Sequence, residues 1–320
     1  MSHKYLSAVL CVVLLMVLVA CGGNKSEPSP TATPAIQPTP SEQAVVPIVL
    51  GDVGNSPTDT IKTYQPLADY LAEKLAEYGV TVGMVKTAPD IETMAQMLTN
   101  DQVDVYFDSA YPAMIVTNTS DAKPILRRWK GGAGEYHTVF FVRADSGIAS
   151  LDDLRGKMIV FENSFSTSGF MLPMAYLIEG GYNPVEKSGL DQPVADNEIG
   201  YVFTVLENAA VEWVARGRAP AGAADNLTYD ELVVDAPAEL RILAETEAIP
   251  RHIVMVRGDL DPKVIEALKQ LLLDLNTTPE GQALLKTLKT SQFDEFPEGI
   301  DTALARMQEL YDTVQQHLAD

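Results

Sequence analysis

A chain of 320 residues with 46% hydrophobic side chains is long enough to bury two cores of ordinary size, which argues against a disordered or fibrous protein. Its formal charge of −21 argues against nucleic acid or an anionic membrane surface as the partner, because both demand clustered Lys and Arg. Any bound anion then has to be held by local donors.

Lys4 supplies a short positive start, Ala8 to Val19 an apolar run too short to span a bilayer, and Leu18-Val19-Ala20-Cys21 matches the bacterial lipoprotein cleavage box. The expectation is a signal peptide over 1–20, with Cys21 as the lipid attachment point. Cleavage there removes Cys11 and leaves no disulfide partner in the mature chain. It also removes Lys4 and makes the chain one charge more negative. Residues 21–45 are rich in Pro, Ser and Thr, cannot bury a core, and read as a semi-extended tether. The implied location is the bacterial envelope, extracytoplasmic, held to the membrane through lipid alone, so the sequons at Asn118, Asn226 and Asn276 need no glycan.

Folding is expected to begin near Val46. Pro47 to Val53 reads as a strand, followed by a polar loop to Thr63 and a helix carrying Leu67, Leu71 and Leu75, with Pro66 in its first turn and Gly79 as its cap. Val80 to Lys86 is a second strand, and Ile91, Met94, Ala95 and Leu98 line a second helix. Val103 to Asp108 alternates, with Val103, Val105 and Phe107 on one face and Asp104, Tyr106 and Asp108 on the other. Strands alternating with helices predict an α/β class with a mainly parallel sheet, whose ligands sit beyond the carboxyl ends of the strands, where Asp108 and Ser109 fall.

Tyr136 to Arg143 is a further strand, at whose start the chain is expected to cross to a second lobe. Met158 to Phe161 leads into the hydroxyl-rich turn Glu162-Asn163-Ser164-Phe165-Ser166-Thr167-Ser168-Gly169, with a regular helix starting near Pro173. Such a turn offers NH groups, hydroxyls and the positive end of a helix dipole to a small acceptor-bearing ligand, or serves only as a cap. Gly200 to Phe203 and Ala219 to Asp225 are strands, and Asp225-Asn226 brings a second strand end and helix start near the Ser166 turn. A helix from Glu207 to Arg216 lies between them. Leu240 to Leu243 and His252 to Arg257 are strands around Pro250, where the return crossing is placed. Helices follow over Pro262 to Leu275, Pro279 to Leu288 and Ile300 to Leu318.

Taken in order, Tyr64-Gln65-Pro66-Leu67-Ala68-Asp69-Tyr70-Leu71, Val103-Asp104-Val105-Tyr106, Val142 to Ile148, Leu151 to Lys157, Ser166 to Gly169 with Pro173, and Ile249-Pro250 resemble the solute-binding proteins of phosphate/phosphite/phosphonate-type ABC transporters. The resemblance implies a two-lobed, type II periplasmic-binding fold with a ligand cleft between lobes. Lobe 1 is expected over 46–136 plus 251–320 and lobe 2 over 137–250. It also implies a monomer that captures a small oxyanion such as phosphonate, phosphite or phosphate by closure and delivers it to an ABC permease, without enzymatic activity or cofactor. Family members hold the phosphonate group with the hydroxyls and NH groups matched here by Ser166, Thr167 and Ser168. Tyr136-His137-Thr138 matches a Tyr-X-Ser stretch, with Thr138 standing for the serine. Tyr64, Asp108, Tyr106, Tyr136, Glu207 and Asn226 complete the expected ligand set.

Two departures bear on the ligand. Phe107-Asp108-Ser109 stands where many relatives have an aromatic followed by Gly, and Thr204 to Asn208 lacks the histidine of their Gly-X-His helix start. Carboxylates of Asp108 and Glu207 facing a dianion at about 4 Å cost roughly 4 kcal/mol each at an effective dielectric near 20. Either they point elsewhere, or they accept hydrogen bonds from a protonated oxyanion or a ligand amine, or the solute is of another kind. His137 and His252 fall near the crossings without matched carboxylate spacing, so no metal site is expected, and His317 reads as solvated. Arg127-Arg128-Trp129 reads as a solvated loop. No nucleophile elbow, dinucleotide turn or Walker loop occurs, and a hydrolase lacks its general base. A ligand sensor of the same fold acting with a sensor kinase is the alternative function.

Overall fold

The computed structural model describes residues 45–204 and 209–319, so the expected signal peptide, Cys21, most of the tether and Glu207 lie outside the described residues. The chain begins with β1 (Pro47–Val53), α1 (Pro57–Lys74), β2 (Val82–Ala88), α2 (Ile91–Thr99), β3 (Val105–Asp108), α3 (Ala110–Thr119) and β4 (Lys123–Lys130). After β5 (Glu135–Tyr136) come β6 (Thr138–Arg143), β7 (Met158–Phe161), α4 (Leu172–Glu179), β8 (Pro184–Glu186), β9 (Ile199–Phe203), α5 (Ala209–Ala215), β10 (Ala221–Asp225), α6 (Asn226–Val233) and β11 (Leu240–Glu245). β12 (Ile249–Pro250), β13 (His252–Val256), α7 (Pro262–Asp274), α8 (Pro279–Thr287), β14 (Thr290–Asp294) and α9 (Ile300–Ala319) complete it.

Two six-stranded sheets result, ordered β14-β4-β13-β3-β1-β2 and β11-β6-β10-β7-β9-β8. In the first, β2, β1 and β3 run parallel and β13, β4 and β14 add antiparallel strands; in the second, β8, β9, β7 and β10 are parallel and β6 and β11 antiparallel. Between the sheets the chain passes twice, and the two passages pair as a short antiparallel ladder, Tyr136 opposite Ile249 and Glu135 opposite Pro250.

Strand alternation sends neighbouring residues to opposite cores. Leu50, Val105 and Phe107 pack beneath Leu67, Leu71 and Leu268 on one face of the first sheet. On its other face Val49 and Tyr106 belong to a larger cluster that continues through Met114 of α3 and Met307 of α9 to Phe140, Phe161 and Met174 of the second sheet and α4. Phe141, Val160 and Val214 fill the far side of that sheet. Each fully buried aliphatic side chain contributes about 1.5–3 kcal/mol, so these three clusters account for the bulk of the hydrophobic stabilisation.

Several expectations need correction. α1 starts at Pro57, not near Tyr64: Pro57 takes the first helical position, where a missing NH costs nothing, and Pro66 lies inside the helix. β3 starts at Val105, so Val103 leaves the alternation and joins the cluster of Tyr106. Arg127-Arg128-Trp129 is no loop; it belongs to β4, with Arg127 and Arg128 both buried. Arg127 Nε donates to Asp294 Oδ1 at 3.0 Å, while Arg128 donates to Thr290 Oγ1 and the Leu288 carbonyl, so partners on β14 and just before it satisfy both guanidinium groups. His317 is half-buried, its Nε2 2.7 Å from the Pro184 carbonyl.

Candidate functional site

β7 ends at Phe161 on the cleft side of its sheet, and the chain then makes the hydroxyl turn. Ser166 Oγ accepts from the Gly169 NH at 2.8 Å and donates to Glu162 Oε2 at 2.7 Å. A Cβ on Gly169 would sit 2.5 Å from Glu162 Cβ and 2.8 Å from Ser166 Oγ, so only glycine lets the turn close so tightly. Thr167 to Met171 then form one wide π-helical turn before α4, which starts at Leu172 next to Pro173. The leading NH groups of a helix have no intrahelical acceptor, and here they open beside the hydroxyls of Thr167 and Ser168.

A cleft of about 510 Å³ lies in front of this turn. Asp90, Ser109 and Asp225, the residues that cap α2, α3 and α6, line it together with Ser166. Four helix N-termini therefore converge on one space, each carrying a partial positive charge. Two of those termini are already offset by their own Asp caps, Asp90 accepting from the Thr93 NH at 2.7 Å and Asp225 from the Thr228 NH at 3.0 Å.

The opposite wall carries full charges. Lys130 at the end of β4, with Arg251 and His252 where the chain returns to the first sheet, line the cleft. The Arg251 guanidinium lies 4.3 Å over the Tyr136 ring, and its Nε is buried without a hydrogen-bond partner, as is His252 Nδ1. Burial, aided by the charges of Lys130, Arg128 and Arg251, holds the His252 imidazole well below its ordinary value, so it is neutral at physiological pH. Burial also lowers Lys130. Asp108 sits beside them, raised by burial, while Tyr106 Oη donates to one of its oxygens and the Ser109 NH to the other, the latter at 2.7 Å. Asp52, raised by burial as well, accepts from Thr60 Oγ1 at 2.8 Å. Both carboxylates thus have neutral donors, and the cations remain open to the cleft.

Of the residues expected from the sequence, Ser166, Thr167, Ser168, Asp108 and Tyr136 are brought together around this space. Tyr136 is buried, its hydroxyl in reach of Thr167 and Ser168 and pushed up to about 12 by burial. The others stand one layer behind. Thr138 Oγ1 donates to the Ser168 carbonyl at 2.7 Å and so orients the turn. Tyr64 stacks on Phe107 with its hydroxyl accepting from Arg128 Nη1 at 3.3 Å, Tyr106 is fully buried against Asp108, and Asn226 Oδ1 accepts from the His137 NH at 3.1 Å. Glu207 lies outside the described residues. Lys130, Arg251, Glu162 and Asp225 were missed as lining residues, although Lys130 ends a strand beside a glycine run and Arg251-His252 directly follows the return crossing.

Two α/β lobes with a polar cleft between them, fed by helix N-termini, define the type II periplasmic-binding class. The family model described as "ABC transporter, phosphonate, periplasmic substrate-binding protein" matches residues 54–298, and the chain belongs to that family. It is 28% identical over 278 residues to the phosphate-import protein PhnD of Mycolicibacterium smegmatis, covering 84% of this chain and 81% of that one. Among solved structures, XAC2383 from Xanthomonas citri with chloride bound is 31% identical with a TM-score of 0.77, covering 85% of this chain and 98% of that one. The same protein solved with ATP is 30% identical with a TM-score of 0.75, at the same coverage. PhnD1 from Prochlorococcus marinus in complex with methylphosphonate shares the fold at 15% identity, a TM-score of 0.61 and coverage of 84% and 98%. Among the described residues no helix is long and apolar enough to cross a membrane, and no group of three or more His, Cys, Asp or Glu could hold a metal.

Proposed function

We propose that this chain is a lipid-anchored solute receptor of an ABC importer that captures a small phosphorus oxyanion by closing two lobes over it. Lobe 1 comprises 46–136 with 251–320 and lobe 2 comprises 137–250, a division supported by the ladder of Tyr136 and Ile249 that joins the two sheets. The observation that carries the reading is the hydroxyl turn at Ser166-Thr167-Ser168 facing Lys130 and Arg251 across one cleft, in a chain of strongly negative charge. Donors on both walls give an anion more contacts in the shut state than in the open one, which is how a ligand selects closure. Ser166 serves as the cap, Thr167 and Ser168 with the adjoining NH groups take the anion, and Tyr136 and Asp108 border it.

The ATP-bound Xanthomonas relative favours a second reading, in which the phosphate belongs to a larger molecule. Titration calorimetry of the purified, ligand-stripped protein against phosphate, phosphite, methylphosphonate and 2-aminoethylphosphonate, with Ser168→Ala alongside, tests the first. Tight binding of one of these, lost in the variant, is the expected result. Heat from ATP alone would move the assignment to the second reading.

A further inference from the structure

The donors of the cleft fall into two sets of different chemistry. On one wall they are neutral: NH groups and the hydroxyls of Thr167 and Ser168. On the other they are cationic or cation-adjacent: Lys130, Arg251 and His252. Tyr136 stands between them, its hydroxyl toward Thr167 and Ser168 and the Arg251 guanidinium over its ring face at 4.3 Å. The two sets thus meet different parts of one phenol, the turn at its hydroxyl and the guanidinium at its ring face, so a ligand with two charged groups can engage each set with its own group.

The cationic set is not occupied by the protein itself. The Asp108 carboxylate is taken by Tyr106 and Ser109, and that of Asp52 by Thr60. Among the described residues neither Lys130 nor the Arg251 guanidinium forms an ion pair with them, and Arg251 Nε and His252 Nδ1 are buried without any partner. His252 is only 7% exposed and lines the cleft. Buried polar atoms without partners are rare in folded proteins and ordinarily mark a place that a ligand or ordered water completes. Arg128, by contrast, spends its guanidinium on Thr290, Leu288 and Tyr64 and stays out of the cleft.

We propose that the cleft takes a ligand bearing two separate anionic groups, one on the Ser166 to Ser168 turn and the other on a second subsite formed by Lys130, Arg251 and His252. This rests on the turn being an anion site. It narrows the ligand to the chemistry of a condensed phosphate or a phosphonocarboxylate, in which two charged groups are joined through a short bridge. Arg251 presents a planar fork for the second group, Lys130 a point charge, and the neutral imidazole of His252 an NH if that nitrogen carries the proton.

The test compares, by calorimetry on the ligand-stripped full chain, phosphate and methylphosphonate with pyrophosphate and phosphonoacetate. The two-group ligands are expected to bind at least about tenfold tighter. Lys130→Met and Arg251→Gln are expected to bring that preference down to about twofold, while Arg251→Lys, which keeps the charge, retains most of it. Thermal unfolding of each variant verifies that it is folded. Equal affinity for one-group and two-group ligands in the wild-type protein, or a preference that survives both substitutions, would overturn the second subsite and leave the anion receptor standing. Silence with all four ligands would overturn both.

Discussion

The backbone NH of Tyr111, in the first turn of α3, donates to Thr167 Oγ1 at 2.8 Å. A helix attached to the first sheet and the hydroxyl turn of the second thus share one buried hydrogen bond. Thr167→Val keeps the shape and removes the acceptor, leaving a buried amide unpaired at a cost of about 1–3 kcal/mol. Thermal unfolding should show the loss, titration should show weaker anion binding, and Thr167→Ser should restore both. A valine variant as stable as the parent would contradict the role given to this bond.

Asp108 sets a pH dependence whose sign can be worked out. Burial raises its carboxyl in the folded protein, so the folded state holds that proton more tightly than the unfolded chain does. The stability it contributes is complete below the unfolded value of about 3.9 and is lost as pH rises through the folded value. Asp108→Asn cannot ionise: its Oδ1 still accepts from the Ser109 NH, while its NH2 takes the place of the other oxygen and donates to Tyr106 Oη, whose hydroxyl turns to accept. Its melting temperature should exceed the parent's at pH 7, with the gap closing toward pH 4. A gap independent of pH would show that the carboxylate is not the cause.

Gly169→Ala should damage binding more than folding. The added methyl meets Glu162 Cβ at 2.5 Å and Ser166 Oγ at 2.8 Å, so the turn must open and its donors move apart. The far side of the second sheet, with Phe141, Val160 and Val214, packs in a separate cluster that does not include residues of this turn. Expected is a loss of anion affinity of at least about tenfold, against a destabilisation within the ordinary range of about 0.5–3 kcal/mol. Calorimetric titration beside chemical unfolding separates the two effects.

Arg306 on α9 is a contrasting case. Its guanidinium reaches Glu247 at 2.5 Å, Glu179 at 3.2 Å and Glu309 at 3.0 Å, and so ties the last helix to the end of α4 and to the loop before β12. Solvent reaches over a third of the side chain, and exposed pairs contribute about 0–1 kcal/mol even with good geometry. Arg306→Met should lower stability by no more than about 1 kcal/mol. That difference should fade in 1 M salt, where screening acts within about 3 Å.

Which parts of the molecule could be read from the chain follows from where each segment's partners lie. β1 shows its full span because turn residues bound a short apolar run, and α7, α8 and α9 show theirs because one face alone is apolar. α3 escaped because it packs against α2, the Thr167 to Met171 turn and α9, so its apolar residues carry no single stripe, and its Thr117, Asn118 and Thr119 side chains turn back to carbonyls of the preceding turn. β4 escaped for a different reason. Charges as dense as Arg127-Arg128 read as solvated until Asp294 and Thr290, far along the chain, are known to receive them. In the site, the hydroxyl turn was legible because its donors are local. The second wall was not, because Lys130 and Arg251 meet only after the chain has left the first sheet and returned.

The connecting ladder sets a condition on how this receptor can change. Tyr136 lies on one strand of that ladder, Arg251 follows the other directly, and both face the cleft. Two residues of the proposed ligand site are therefore also part of, or next to, the connection between the two sheets. A substitution that retunes one ligand contact also alters the joint, so selectivity and the ease of shutting are inherited together. Variants selected for a new solute at either position should arrive with altered open-to-closed balance, and second mutations that repair that balance should appear at Ile249 or Pro250 rather than in the cleft.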